Sequence, residues 1–170
     1  GHVDMKWCPG VDFSAGSLGM GLSFGIGCSI AANLDNSDRS VWVMLGDGEL
    51  QEGQIWEGVM SANHHEISNL NVIVDRNNIQ NDDFCVEQMR MFDVAEKFAA
   101  FGWAVKEIDG HDMNQVVESI DWADSVTDGP SCIVMHTIKG KGVSYMENNP
   151  KFHGAAPNDE QFILAMEELS

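Results

Sequence analysis

Two short apolar runs constrain this chain more than any other feature. Val41 to Leu45 and Val72 to Val74 are rich in β-branched residues, and each breaks off into polar ones, in VWVMLGDGELQEG and NVIVDRNNIQN. An apolar run of this length bounded by turn residues reads as a buried strand of a parallel sheet. Ligands of open α/β sheets bind just beyond the carboxyl ends of such strands. Asp47 and Asn77, one past each run, are therefore expected to converge on one crevice.

One carboxylate and one amide oxygen are hard donors, suited to Mg²⁺, with Ca²⁺ or Mn²⁺ as alternatives. They are too few to cage an ion, and Mg²⁺ usually completes its shell with water and substrate phosphates. Gly46 and Gly48 flank Asp47, which lets the backbone turn tightly and approach a ligand. Backbone N–H groups in such a turn can receive phosphate oxygens. The residues alone thus point to a metal-bridged diphosphate site, although Asp-Gly is also a common turn pair.

The rest of the chain alternates strand and helix patterns. After an irregular opening from Gly1 to Asp12, helices are predicted over Ser17–Leu34 and from Gln51 to about Glu66. Another is expected within Phe84–Phe101, with Met89, Phe92, Ala95, Phe98 and Ala99 on its apolar side. Two more are expected over Met113–Asp124 after an Asp112 cap, and over Asp159–Leu169 after Asn158 or Asp159. Gly102 is placed to end the third. Strands are predicted at Val41–Leu45, Asn71–Val74, Ala104–Ile108 and Ser131–His136. This alternation implies an α/β fold, a mostly parallel twisted sheet with helices on both faces. The several glycines of Ser17–Leu34 cost a helix about 1 kcal/mol each, so close approach to the sheet or to another protomer is expected.

A length of 170 residues suits one domain, and 44% hydrophobic with 21% charged residues is a globular composition. A net charge of −18 argues against a nucleic-acid surface, which needs Lys and Arg. No apolar stretch is long enough for a membrane helix, and no secretory leader is visible. Cys8, Cys28, Cys85 and Cys132 lack CxxC spacing and are read as reduced thiols in a cytoplasmic protein. Lys139-Gly140-Lys141-Gly142 is not a P-loop, and Gly19-Met20-Gly21 does not extend to the dinucleotide fingerprint. His64 and His65, being adjacent, point different ways on a helix and are not expected to share a metal.

GDG, a spacer and a double asparagine together resemble the thiamine diphosphate signature. With GDGELQEGQIWEG, ANHHEISNLNVIVDRNNIQ, TIKGKGVSYMENNPKFHGAAPNDEQ and PGVDFSAGSLGMGLS, nearly the whole chain resembles the diphosphate-binding half of transketolases, closest to forms in which that half is a separate chain. The resemblance implies the thiamine-diphosphate-binding fold and transfer of a two-carbon ketol unit from a ketose phosphate to an aldose phosphate. It places Asp47, Asn77 and the Ile79 carbonyl on the metal, and Gly46, Gly48 and Glu49 beside the diphosphate. Gly16, Ser17 and Leu18 would lie over the thiazolium ring. His2 and His153 would line the substrate side, His153 near the diphosphate and able to assist proton transfer. Glu52 would join a carboxylate network across a dimer interface; as a first-turn glutamate it also suits the helix dipole.

The chain departs from the family pattern in places. His2 lies slightly farther from Pro9 than usual, and Asn81-Asp82-Asp83 stands where Ile-Asp-Gly is common, so that loop is expected to bend differently. The chain begins mid-pattern, without the preceding histidines or the pyrimidine-binding domain. The expectation is one thiamine-diphosphate-binding domain over residues 1–170, N-terminally incomplete, from a split subunit. Its partner would be the C-terminal subunit carrying the pyrimidine domain, in a homodimer or heterotetramer. Two other readings stay open. One is a related thiamine-diphosphate enzyme, either a pentulose-phosphate-specific transketolase or a deoxyxylulose-phosphate synthase, the latter disfavoured by ELQEGQIWEG. The other is a non-catalytic metal-diphosphate-binding module.

Overall fold

The computed structural model describes residues 2–170. Gly1, first residue of the expected irregular opening, lies outside them. Four strands, β1 (Val41–Gly46), β2 (Leu70–Arg76), β3 (Ala104–Asp109) and β4 (Ser131–His136), form one sheet in the order β1-β2-β4-β3. Every pairing is parallel, with Gly46 level with Asp75 and Arg76 level with His136. The carboxyl ends of β1, β2 and β4 therefore finish side by side.

One face of the sheet carries the main core. Leu22 and Ile26 of α1 (Met20–Leu34), Ile55 and Val59 of α2 (Gly53–His64) and Phe98 of α4 (Val94–Ala100) pack on Val43, Leu45, Val72, Val74 and Val134. The other face is covered by α5 (Met113–Asp124), whose Ala123 packs with Ile108 and Ile133. The α/β reading, with helices on both faces, holds. No helix among the described residues is long and apolar enough to cross a membrane.

Boundaries differ where backbone conformation overrides periodicity. α1 begins at Met20 because Gly19 is left-handed (φ 82°), leaving Ser17 and Leu18 in a turn. The expected Gln51–Glu66 helix is split: a 3₁₀ turn at Glu49–Gln51 precedes α2, and an extended Glu52 (ψ 123°) separates them. The predicted Phe84–Phe101 helix is instead α3 (Cys85–Gln88) and α4, joined by an irregular stretch. Met89 (58% exposed) and Phe92 (74%) face outward there, Phe92 in the left-handed region at φ 53°. Ala99 is exposed as well, whereas Met91 and Phe98 are buried and Ala95 packs on the core.

Other local signals are realised. Asp112 accepts from the Asn114 and Gln115 N–H groups at the start of α5. Asn158 forms a capping box with Gln161 ahead of α6 (Asp159–Glu168). Gly102 ends the segment after α4 at φ 85°. Among the α1 glycines, Gly25 lies against Val43 so closely that a Cβ would overlap the valine methyl, while nothing lies within 4 Å of one at Gly27. Helix-to-sheet approach thus explains Gly25; Gly27 faces outward.

Candidate functional site

Parallel register puts the end of β1 within one residue of the end of β2, and the residue after each strand enters the same crevice. Asp47 is 1% exposed and Asn77 8%. The Asp47 Oδ2 atom accepts the Asn78 backbone N–H, in a short contact, and Arg76 Nη1 at 3.3 Å. Its Oδ1 accepts the weak Cys85 thiol, at 3.4 Å. Asn77 donates from Nδ2 to Asp75 Oδ2 (2.9 Å), and its Oδ1 accepts the Ile79 N–H (3.0 Å). Asn78 takes the left-handed conformation (φ 64°), which asparagine tolerates better than most residues. The loop then closes tightly: buried Ile79 bridges Phe84, and Gln80 N–H donates to Asp83 O at 3.0 Å.

Burial pushes the Asp47 carboxyl above the ordinary carboxylate range, outweighing the Asn78 N–H, the Cys85 thiol and Arg76, which favour its charged form. A buried carboxylate suits a divalent cation, whose charge would offset the cost of burial. Among the described residues no group of three His, Cys, Asp or Glu side chains is placed to hold an ion unaided. An ion here would need the Asn77 amide, the Ile79 carbonyl and ligands from outside the chain, and the donor set is oxygen throughout, as Mg²⁺ or Ca²⁺ prefers. At Gly48 an added Cβ would lie 2.7 Å from Gln80 Cβ. No side chain fits between the GDG turn and the loop after β2, so backbone lines the crevice.

Glu49 acts on the chain itself. Its Oε1 accepts the Gly19 N–H (2.8 Å) and its Oε2 the Gly46 N–H (3.1 Å). This carboxylate ties the loop holding Gly16, Ser17 and Leu18 to the end of β1, and it engages the Gly46 amide. Gln54 Nε2 donates to Leu18 O at 3.2 Å and strengthens the same tie. His2 is beside Gly16, whose Cβ position lies 3.9 Å from the His2 ring.

His153 follows a 3₁₀ turn at Pro150–Phe152, which Asn149 caps. Burial and then the Lys139 charge hold its imidazole below the ordinary histidine range, against the carboxylates of Asp47 and Asp82. His153 is thus within electrostatic reach of the Asp47 carboxylate. A cavity of about 410 Å³ opens at the strand ends, lined by Met44, Asp75, Asn77, Thr137, Ile138 and Lys139. A second, of about 510 Å³, lies between the loop after β2 and the His153 loop, lined by Asn81, Asp82, Asp83, Asn149 and Lys151 among others.

The structure thus gathers Asp47, Asn77, Ile79, Gly46, Gly48 and Glu49 around one crevice, with the Gly16–Leu18 loop tied to it and His153 in reach. Glu52 is exposed at the start of α2. His64 and His65 stack edge to face at its end, ring centroids 4.9 Å apart. Asp75, Arg76, Cys85 and Thr137 were not singled out by sequence. Asp75, Arg76 and Thr137 lie at strand ends, the signal that pointed to Asp47 and Asn77; Cys85 enters only through the fold of the loop.

Comparison with known proteins shows the family. The family model described as transketolase, thiamine diphosphate binding domain, matches residues 1–169. The chain belongs to the transketolase family. It is 39% identical over 170 residues to one subunit of an apulose-4-phosphate transketolase from Phocaeicola vulgatus, covering 100% of this chain and 60% of that protein. It is 36% identical over 168 residues to a 6-deoxy-6-sulfo-D-fructose transketolase subunit of a Clostridium species, covering 99% and 61%. The chain therefore spans about three fifths of the length of these relatives. The crystal structure of Campylobacter jejuni transketolase superposes with a TM-score of 0.85 at 31% identity, over 94% of this chain and 26% of that one. The chain is a transketolase N-terminal, thiamine-diphosphate-binding domain.

Proposed function

We propose that residues 1–170 act as one thiamine-diphosphate-binding domain of a two-subunit transketolase, holding the cofactor through a divalent cation on Asp47, Asn77 and the Ile79 carbonyl. The observation that carries this reading is the buried Asp47 carboxylate just past the end of β1, beside the end of the parallel neighbour β2 that leads into buried Asn77. The bound cofactor would supply the nucleophilic carbon and the electron sink for two-carbon ketol transfer between sugar phosphates. The chain's residues bind and orient. Asp47 and Asn77 fix the metal, Gly48 leaves room for the diphosphate, and Glu49 holds the Gly16–Leu18 loop in place. His153, whose imidazole is held below the ordinary histidine range by burial and the Lys139 charge, would exchange a proton at the substrate side, and His2 would contact substrate hydroxyls.

The partner in this reading is a subunit carrying the pyrimidine-binding domain, in a cytoplasmic complex. Support comes from the relatives, three of which are named as subunits of a transketolase. The experiment mixes the chain with that partner, thiamine diphosphate, Mg²⁺, xylulose-5-phosphate and ribose-5-phosphate. Sedoheptulose-7-phosphate should form with both subunits and not with this chain alone; turnover by the chain alone, or none by the pair with any ketose phosphate, refutes the assignment. A narrower donor is the second reading, favoured by the name of the Phocaeicola vulgatus relative. Faster turnover of apulose-4-phosphate than of xylulose-5-phosphate would select it.

A further inference from the structure

We propose that Asp75 and Thr137 are positioning residues that lock the Asn77 amide with its oxygen toward the cation. This rests on the metal-diphosphate reading of the same site and adds two residues which that reading does not use.

The Asn77 side chain is held from both ends. Its Nδ2 donates to Asp75 Oδ2 at 2.9 Å, and its Oδ1 accepts the Ile79 N–H at 3.0 Å. An ionised carboxylate only accepts and a backbone N–H only donates, so the two neighbours select the same amide orientation independently. A flipped amide would set oxygen against carboxylate and NH₂ against N–H, leaving two polar pairs mismatched, one buried and one part-buried. Asp75 is itself fixed from another strand. Its Oδ1 accepts the hydroxyl of Thr137, the residue just past β4, and the Thr137 N–H donates to Arg76 O at 3.3 Å. β2 and β4 are parallel neighbours with Asp75 level with Met135 and Arg76 level with His136, so the sheet register sets this contact.

Asp75, Asn77 and Thr137 all line the cavity of about 410 Å³ at the strand ends. The chain of contacts runs from the β4 tip through Asp75 to the amide that faces that space. An sp² oxygen has two acceptor sites; the Ile79 N–H takes one, and the other is left for the ion. Mg²⁺ demands near-octahedral geometry, whereas Ca²⁺ accepts flexible arrangements. Loss of the lock should therefore cost Mg²⁺ more than Ca²⁺. Removing groups that orient metal ligands typically weakens metal affinity by about 10–100-fold.

The test titrates Mg²⁺, and separately Ca²⁺, into this chain assembled with its partner subunit, with thiamine diphosphate present, by calorimetry, for wild type, D75A, T137V, T137S and D47A. Unfolding midpoints are measured without metal. Mg²⁺ affinity should fall about 10-fold or more in D75A, which removes the acceptor for the Asn77 amide, fall less in T137V and return in T137S, with Ca²⁺ affinity falling less than Mg²⁺ in each weakened variant. T137V should keep the wild-type unfolding midpoint, separating orientation from folding. Wild-type Mg²⁺ affinity in both D75A and T137V, with binding lost in D47A, overturns this inference and leaves the metal site standing. Equal losses of Mg²⁺ and Ca²⁺ affinity, tracking a lowered midpoint, assign the two residues to folding alone and also overturn it. Equal affinity in wild type and D47A removes the metal site and the inference with it.

Discussion

The same substitution at two glycines of one helix should shift stability in opposite directions. Gly25 and Gly27 both lie in α1, and alanine at a helix interior is favoured over glycine by about 1 kcal/mol. At Gly27 nothing lies within 4 Å of the added Cβ, so the isolated chain should keep that gain. At Gly25 the new methyl would overlap a methyl of Val43, with Leu70 Cδ1 at 3.6 Å and Val41 Cγ1 at 3.7 Å closing the other sides. Val43 is 8% exposed and pinned in the central core, so the helix must lift off the sheet. Overpacking of this kind costs about 1–3 kcal/mol, which cancels or exceeds the propensity gain. For a chain of this size about 1 kcal/mol moves the melting temperature by roughly 2–4 °C. Calorimetric or circular-dichroism melts should therefore put G27A some 2–4 °C above wild type and G25A at or below it. A G25A protein that melts as high as G27A would refute the claim that α1 is seated on β1 through Gly25.

Leucine in place of Gly27 should leave the lone chain folded but block association of the assembled enzyme, because the outward face of α1 carries Phe24, stacked on Phe13 at 4.0 Å, and exposed Met20; unchanged assembly by light scattering contradicts it. Burial and the neighbouring Asp47 carboxylate push the Cys85 thiol up to about 12, and burial also raises Cys132, whereas Cys8 and Cys28 are half-buried. Since thiolate is the reactive form, a thiol reagent at pH 8 should modify two cysteines quickly and the other two only on unfolding; four thiols in one fast phase would contradict this. Hydrogen bonds from the Gln115 side chain and from the Asn114 and Gln115 N–H groups hold the Asp112 carboxyl below its ordinary value. That contribution is present above the unfolded carboxyl pKa, about 3.9, and is lost as pH falls through the lower folded value. D112A should accordingly melt below wild type at pH 7, with the gap closing under acid; a constant gap down to the folded value counts against the cap.

Much of the fold was legible because local chemistry and tertiary structure agree. The bounds of β4 and α5 were read correctly, and the Asp112 and Asn158 caps were placed because a side-chain acceptor there meets unpaired N–H groups wherever the helix docks. The 84–101 segment misled because its apolar spacing fits one helix. The Gln51 side chain instead donates to the Met89 carbonyl at 3.1 Å and to Gln80, contacts between segments distant in sequence that periodicity cannot show. The site was legible at Asp47 and Asn77 for a general reason: strand ends in a parallel sheet converge. Asp75 and Thr137 escaped notice because their contact depends on β4 being inserted between β2 and β3, an order the sequence pattern leaves open. Glu49 was assigned to the cofactor, yet its carboxylate spans Gly19 and Gly46, a role visible only once α1 and β1 are side by side.

The central claim is that a metal-bridged diphosphate is held at the ends of β1 and β2. A crystal structure with thiamine diphosphate and Mn²⁺, phased on the manganese anomalous signal, tests it directly. One strong anomalous peak is expected beside Asp47, within coordinating distance of its carboxylate, the Asn77 amide and the Ile79 carbonyl, with diphosphate and water oxygens as the remaining ligands. A peak elsewhere, or a diphosphate bound with no metal beside Asp47, would contradict it.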